Sequence, residues 1–359
     1  MINVLVVDDS AFVREFLSKI ISEDKELNVV ATSQDPYKAV EIINSKTTKI
    51  DVITLDLEMP RMDGLTFLEK LMAQKPMPVV VCSSIAEEGS ENAMKALELG
   101  AVEVITKPKM GLRDFFEEEK FRIHDAIKSA ARTNMSILRS SVKRVKNMPS
   151  TTSSSAQTIK SSSGYLLART TNKLIAIGAS TGGTIALREV LIRLPKTTTG
   201  IIITQHMPEG FTKSFAENLN NECEIEVMES DDNLKVMMGT AMIAKGNTHL
   251  EIVRSGAYFV SKVVRDKGLV NRHRPSVDVM FDSVAQNVGK NALAILLTGM
   301  GKDGAIGLKT IKDAGGTTIA QNEASCVVYG MPKAAVELGA ADYVLDLNDI
   351  VKKIIEFHD

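Results

Sequence analysis

The sequence predicts an α/β protein: an N-terminal flavodoxin-like (βα)5 unit, a linker, and a second doubly wound, mostly parallel α/β unit with an antiparallel β insertion. Three observations carry this expectation. Short apolar runs alternate with amphipathic stretches in both halves of the chain. The alternation is interrupted at "NMPSTTSSSAQTIKSSSG" (147–164), which is Ser/Thr-rich and nearly free of large apolar residues. Between about 223 and 270, strand-like runs follow one another across tight Gly or Asn turns.

In the first half the strand candidates are "VLVV" (4–7), "NVVAT" (28–32), "DVITL" (51–55), "PVVVC" (78–82) and "VEVIT" (102–106). Helical patterns follow them, such as "AFVREFLSKII" and "DGLTFLEKLMA", with Leu, Phe and Ile at spacings of three and four. Five such repeats within about 125 residues predict a doubly wound parallel sheet. "FRIHDAIKSAARTNMSILRSSVKRVK" then reads as one long helix leading into the Ser/Thr-rich stretch. That stretch has too little apolar surface to offset its ordering entropy, so it reads as a tether. The second half restarts with "KLIAIG" and its helix, then "GIIITQ" and its helix. "CEIEVME", "TAMIAKG", "HLEIVRS" and "AYFVSKVV" are expected to pair antiparallel, after which strand–helix alternation resumes through "ALAILLTG" and "TTIAQ". The expected divisions are 1–122, a joining helix and linker at 123–171, and 172–359.

The chain has 359 residues, enough for two full cores, with 44% hydrophobic and 25% charged residues, an ordinary globular balance. A net charge of −2 gives no basic footprint, so nucleic acid is not an expected partner. Long uncharged apolar runs are absent, so no membrane insertion is expected. The opening "INVLVVDDS" reads as a strand and not as a signal peptide. Cys82, Cys223 and Cys326 fit no zinc or disulfide spacing and read as buried free thiols. A cytoplasmic protein is the expectation, and a monomer the default, because nothing in the sequence demands an interface.

Acidic residues collect where strands of the first half end. Asp8 and Asp9 close the first strand, Asp56 the third and Lys107 the fifth. At the carboxyl edge of a parallel sheet these groups converge, and three carboxylates would repel unless a hard divalent cation such as Mg2+ sat among them. Asp56 could then attack a phosphoryl group in line, with Ser83 hydrogen-bonding its oxygens. Asp residues also commonly cap helices after strands, which is the competing reading for any one of them. The motifs "VLVVDDS", "DVITLDLEMPRMDG", "VVVCSS" and "GAVEVITKP" resemble the receiver domain of two-component response regulators across residues 1 to about 122. The resemblance implies a histidine kinase as phosphodonor and Asp56 as phosphoacceptor. It implies Asp9, Asp56 and the Glu58 carbonyl as Mg2+ ligands, Asp8 as an indirect ligand, and Ser83 with Lys107 as the phosphate-sensing pair. Val104 stands where many receivers carry a switch aromatic, which argues against a rotating-aromatic relay.

In the second half, "LIAIGASTGG" (174–183) supports two readings: a G-x-S-x-G elbow presenting Ser180, or a glycine-rich phosphate cradle. His206 after "IIITQ" and Asp303 after "LAILLTGMGK" also follow strand ends, so a nucleophile, a base and an orienting carboxylate would meet at one edge. Small residues around Ser180 are expected to expose its hydroxyl, and backbone N–H groups at the next helix to stabilise an oxyanion. Against this, "GMGKDG" (299–304) matches G-x-G-x-x-G with Glu323 about twenty residues on, a dinucleotide fingerprint whose own Asp303 would repel pyrophosphate. The local patterns leave both readings open. His249, after a Gly-Asn turn, is expected to be a solvated turn residue, and His273, in a basic cluster, to steer an acidic substrate.

"IGASTGG", "TQHMPEGFTKSFAENL", "NRHRPSVDVMFDSVA", "LTGMGKDGAIGL" and "AQNEASCVVYGMPKAA" resemble, in order, the catalytic domain of the chemotaxis protein-glutamate methylesterases. The resemblance implies Ser180 as nucleophile, His206 as general base and Asp303 as its orienting partner, with the backbone N–H groups of Thr181 and Met300 in the oxyanion hole. It implies demethylation of γ-glutamyl methyl esters on a chemoreceptor with release of methanol, and deamidation of receptor glutamines as a companion activity. No cofactor is implied for the hydrolysis itself. A phosphorylation-gated nucleotide-binding module without hydrolase activity is the alternative.

Overall fold

A computed structural model describes residues 1–45, 48–84, 86–107, 113–148 and 172–358. The chain divides into two compact units, one built on Met1–Val142 with Met207–Ser214 and the other on Lys143–His206 with Phe215–Asp359. Residues 149–171, most of the expected tether, lie outside the described residues.

The first unit runs β1 (Ile2–Val7), α1 (Ala11–Ser22), β2 (Leu27–Ser33), α2 (Pro36–Asn44), β3 (Val52–Asp56), α3 (Gly64–Gln74), β4 (Val79–Ser83), α4 (Glu87–Glu98), β5 (Glu103–Thr106) and α5 (Arg113–Ala131). Its strands form one parallel sheet in the order β2-β1-β3-β4-β5. Every residue of β3 and β4 is buried, as strands with helices on both faces require. Ser10, Asp35 and Asp63 start α1, α2 and α3 by accepting the N–H three residues on. The strand order reverses at β1, so a crevice opens at the carboxyl ends of β1 and β3, where Asp8, Asp9 and Asp56 lie.

The single helix expected over 121–146 is two. α5 stops at Ala131 and α6 (Met135–Lys146) starts anew, because Asn134 Oδ1 accepts from the N–H groups of Ser136 (3.1 Å) and Ile137 (3.2 Å). A short amide that satisfies the first free N–H groups of a turn competes with helix continuation.

The second unit comprises β6 (Leu174–Ala179), α7 (Gly183–Leu191), β7 (Ile201–Gln205), α8 (Phe211–Glu222), β8 (Glu226–Glu229), β9 (Thr240–Ile243), β10 (His249–Ser255), β11 (Tyr258–Val264), α9 (Val277–Asn287), β12 (Ala292–Leu296), α10 (Ala305–Asp313), β13 (Thr317–Gln321), α11 (Met331–Glu337), β14 (Tyr343–Leu345) and α12 (Leu347–Glu356). Its main sheet, ordered β14-β13-β12-β6-β7-β9-β8, is parallel throughout. The expected antiparallel insertion is half right. β10 and β11 form a separate antiparallel hairpin, whereas β8 and β9 run parallel and extend the main sheet. Residues 230–239 separate β8 from β9, a connection too long for a tight hairpin and long enough to carry the chain back to the same end. β6, first in the chain, ends up flanked by β7 and β12, so the switch point of this sheet falls at its carboxyl end. Among the described residues no helix is long and apolar enough to cross a membrane.

Candidate active site

Register brings two of the predicted residues together. Ala179 pairs with Gln205, and the His206 N–H donates to the Ala179 carbonyl at 3.1 Å. Ser180 and His206 therefore leave neighbouring strands side by side, with strand axes ~4.8 Å apart. On the other flank Gly178 pairs with Leu296, and the Ser180 N–H donates to the Thr298 carbonyl at 3.0 Å. This draws the loop after β12 against Ser180. A Cβ on Gly299 would lie 2.6 Å from Ser180 Cβ, so only glycine permits that approach, and Met300 follows immediately. The loop then turns through Gly301 and Gly304, both at positive φ, and buries Asp303 between them.

Asp303 accepts from five donors. Oδ2 takes His206 Nε2 at 2.8 Å and the Val277 N–H at 2.6 Å. Oδ1 takes Asn271 Nδ2 and Ser276 Oγ at 2.8 Å each, and the Asp278 N–H at 3.3 Å. Burial works to raise this carboxyl. The hydrogen bond and charge of His206, with the Asn271 and Val277 donors, outweigh it and hold Asp303 well below the usual carboxylate range. Since Nε2 donates to Asp303, Nδ1 carries the imidazole lone pair. Nδ1 is buried and has no partner among the described residues. The His273 ring stacks on that of His206, centroids 3.7 Å apart and planes 13° apart.

Two expectations change. His249 is not a solvated turn residue but fully buried at the start of β10. Its Nδ1 accepts from the Ser276 N–H (3.1 Å) and its Nε2 faces the Gly268 carbonyl (2.9 Å). Burial lowers its pKa. The glycines around Ser180 serve packing: Cβ atoms at Gly178, Gly182 and Gly183 would collide with Val277, Val327 and Gln205 respectively, and Ser180 itself is only 5% exposed. Sequence reasoning missed Gln205, whose Nε2 donates to the carbonyls of Ser180 and His206 at 3.0 Å each. It also missed Thr298, whose Oγ1 donates to the Thr181 carbonyl (3.0 Å), and the Asn271 and Ser276 donors. Ser276 had a usable signal as the capping residue before "VDVMF"; Asn271 had none. None of the three cysteines forms a disulfide; Cys82 and Cys326 are buried and Cys223 half-buried, and burial pushes the Cys223 thiol up to about 12.

In the first unit, oxygens of Asp8, Asp9 and Asp56 lie within 4.8 Å of one another. Lys107 Nζ contacts Asp56 Oδ1 at 2.8 Å, and the Glu58 N–H donates to the same oxygen at 2.9 Å. Burial first, then the Asp56 charge, pushes the Asp8 carboxyl up to about 6. Burial also raises Asp56 despite the Lys107 hydrogen bond. Asp8 Oδ2 and Asp56 Oδ2 are buried without a hydrogen-bond partner among the described residues. Crowded, unpartnered carboxylate oxygens are the donor set that suits a hard divalent cation, so the residues present fit Mg2+. Ser83 Oγ donates to the Gly89 carbonyl (2.9 Å), and Val104 is buried within β5.

A carboxylate pocket at one parallel-sheet switch point and a Ser-His-Asp convergence at another define a receiver-linked hydrolase. Residues 4–126 match the response regulator receiver domain and residues 175–354 match the CheB methylesterase model. The chain belongs to the CheB methylesterase family. It is 48% identical over 357 residues to protein-glutamate methylesterase/protein-glutamine glutaminase 3 of Shewanella oneidensis, covering 99% of both chains. A relative of the same description from Geobacter metallireducens is 48% identical over 355 residues, covering 99% of this chain and 98% of the other. The crystal structure of the Thermotoga maritima CheB methylesterase catalytic domain aligns over all of its own length and 52% of this chain, with 40% identity and a TM-score of 0.51.

Proposed function

We propose that this chain hydrolyses γ-methyl esters of glutamate side chains on a chemoreceptor, and that phosphorylation at Asp56 activates it. The observation that carries the reading is the hydrogen bond from His206 Nε2 to buried Asp303, beside Ser180, at the switch point of the second sheet. Asp303 holds the imidazole with its proton on Nε2, leaving Nδ1 to take the Ser180 proton as Oγ attacks the ester carbonyl. The N–H groups of Thr181 and Met300 flank Ser180 and are the donors we assign to the oxyanion. His206 then returns its proton to the departing methoxide, so methanol leaves and an acyl-serine remains. Water, deprotonated by His206, cleaves the acyl bond to give the glutamate carboxylate and regenerate Ser180. A glutamine side chain presents the same acyl carbon with ammonia as leaving group, so glutaminase activity needs no further residue.

For the receiver we assign residues 1–122, with 123–171 joining it to a catalytic domain at 172–359. Asp9, Asp56 and the Glu58 carbonyl would hold Mg2+, with Asp8 acting indirectly, and the ion would neutralise phosphoryl charge. Asp56 Oδ2, without a partner among the described residues, is the oxygen left to attack the phosphoryl group of a kinase phosphohistidine. Lys107 already sits on the other Asp56 oxygen, and Ser83 would exchange the Gly89 carbonyl for a phosphoryl oxygen. The kinase, the receptor's signalling region and this chain then work together in the cytoplasm, the chain acting as a monomer.

The test is methanol release from methylated receptor membranes by Ser180→Ala. Loss to the uncatalysed rate is expected; full release by that variant would overturn the assignment of the nucleophile.

A further inference from the structure

Between β11 and α9 the chain makes a two-residue turn that no part of the proposed reaction uses. Val270 and His273 exchange both backbone hydrogen bonds, the Val270 N–H to the His273 carbonyl at 3.1 Å and the reverse at 2.9 Å. The two residues between them are both left-handed, Asn271 at φ 51° and Arg272 at φ 69°. Consecutive positive φ values define the primed turn of a tight hairpin, in which Asn is well tolerated and Arg is strained. Backbone strain of this kind persists only where its surroundings over-determine it. Here the turn does two things at once. It lays the His273 ring on His206, and it sends the Asn271 amide between two buried carboxylates. Asn271 Nδ2 donates to Asp278 Oδ2 at 2.7 Å and to Asp303 Oδ1 at 2.8 Å. An amide nitrogen has two hydrogens, and both are engaged by carboxylates.

We infer that Asn271 is a positioning residue for the hydrolase: its amide bridges Asp278 and Asp303 and so fixes the carboxylate that orients His206. This rests on the proposed triad. Asp278 and Asp303 are like charges in one buried cluster, and both are anchored elsewhere, Asp278 Oδ1 by the Gly307 N–H at 2.6 Å. Without a donor between them the pair relaxes by rotating apart or by sharing a proton, and either change withdraws charge from His206 Nε2. The titratable groups facing Asp303 are His206 and Asp278, with His249 and Asp282 also within reach of its charge. His249 acts through Ser276, whose N–H it accepts and whose hydroxyl binds Asp303.

The experiment compares Asn271→Gly and Asn271→Asp in the full chain, measuring methanol release from methylated receptor against substrate concentration and pH. Glycine keeps the left-handed turn and removes the bridge; aspartate keeps the shape and adds a third carboxylate. For both, kcat falls about 10- to 100-fold, the scale of a misplaced catalytic group, with KM little changed. The acid limb of the kcat profile moves to lower pH for glycine and to higher pH for aspartate, because the negative charge facing His206 Nε2 falls in the first variant and rises in the second. Wild-type kcat and pH profile in both variants would overturn the inference, as would a loss uniform in pH that tracks the folded fraction measured by circular dichroism. Ser180→Ala run in parallel separates the two levels: an active Ser180→Ala overturns the triad itself, whereas an inactive one beside normal Asn271 variants overturns only the bridge.

Discussion

Asp303→Asn is the sharpest single perturbation, because every group around this carboxylate is a donor. Its two oxygens accept from His206 Nε2, Val277 N–H, Asn271 Nδ2, Ser276 Oγ and Asp278 N–H. An asparagine must turn its NH2 toward one side. Facing Oδ1's partners it would oppose three donors. Facing Oδ2's partners it opposes only the Val277 N–H, because His206 can move its proton from Nε2 to Nδ1 and accept instead. The second orientation is favoured, and its stability cost is one buried unsatisfied N–H, about 1–3 kcal/mol. Its catalytic cost is larger. The tautomer it selects puts a proton on Nδ1, the nitrogen that accepts from Ser180 in the proposed reaction. The same tautomer error in a serine protease, made by replacing the orienting aspartate with asparagine, lowers kcat by about 10⁴, equivalent to about 5.4 kcal/mol at 1.36 kcal/mol per tenfold. Methanol release from methylated receptor measures the rate, and a thermal melt by circular dichroism measures the fold. A folded Asp303→Asn chain with a rate within about tenfold of wild type would refute the orientation argument.

Two further outcomes follow from the same groups. Asp56→Asn removes the oxygen proposed to carry the phosphoryl group, so the ratio of methanol release with and without a small phosphodonor and Mg2+ is expected to fall to about one; a ratio still well above one would place the acceptor elsewhere. Burial first, with the charge of Asp303 adding to it, raises Asp278 to about 6, against the Gly307 and Asn271 hydrogen bonds. The folded state therefore holds a proton that the unfolded chain has released between pH about 4 and about 6, so stability falls as pH rises through that window, by up to roughly 3 kcal/mol. Thermal melts across it are expected to slope less steeply downward for Asp278→Asn than for wild type, and identical slopes would remove Asp278 as the source.

Much of the site was legible because a parallel sheet delivers its strand ends to one edge. Asp8, Asp9, Asp56, Ser180, His206 and Asp303 each follow or close an apolar run, and both clusters lie where the strand order reverses. Strand ends could be read from hydrophobic pattern alone, so these residues could be found before their distances were known. The elements that failed turn on information the pattern does not hold. The pairing direction of β8 and β9 depends on where residues 230–239 carry the chain, and the break between α5 and α6 depends on one amide, Asn134, competing with helix continuation. His249 looked solvated because a Gly-Asn turn precedes it, yet it is anchored by Ser276, 27 residues on.

The same distinction explains why the supporting groups of Asp303 escaped notice. A nucleophile, a base and an orienting acid announce themselves by residue type at strand ends. A residue that supports them needs only a donor in the right place, and Asn, Ser and backbone N–H groups supply donors from anywhere in the chain. Three of the five donors to Asp303 come from Ser276, Val277 and Asp278, where Ser276 also caps α9; the helix start thus offers free N–H groups to the carboxylate. Asn271 arrives from the adjoining left-handed turn and His206 from the end of β7. The low proton affinity of Asp303 therefore rests first on His206, with the start of α9 and the turn before it supplying further donors. Substitutions in residues 270–278 that remove a donor to Asp303 should alter the chemistry of His206, and activity there should follow hydrogen-bond donation to Asp303 more closely than side-chain size.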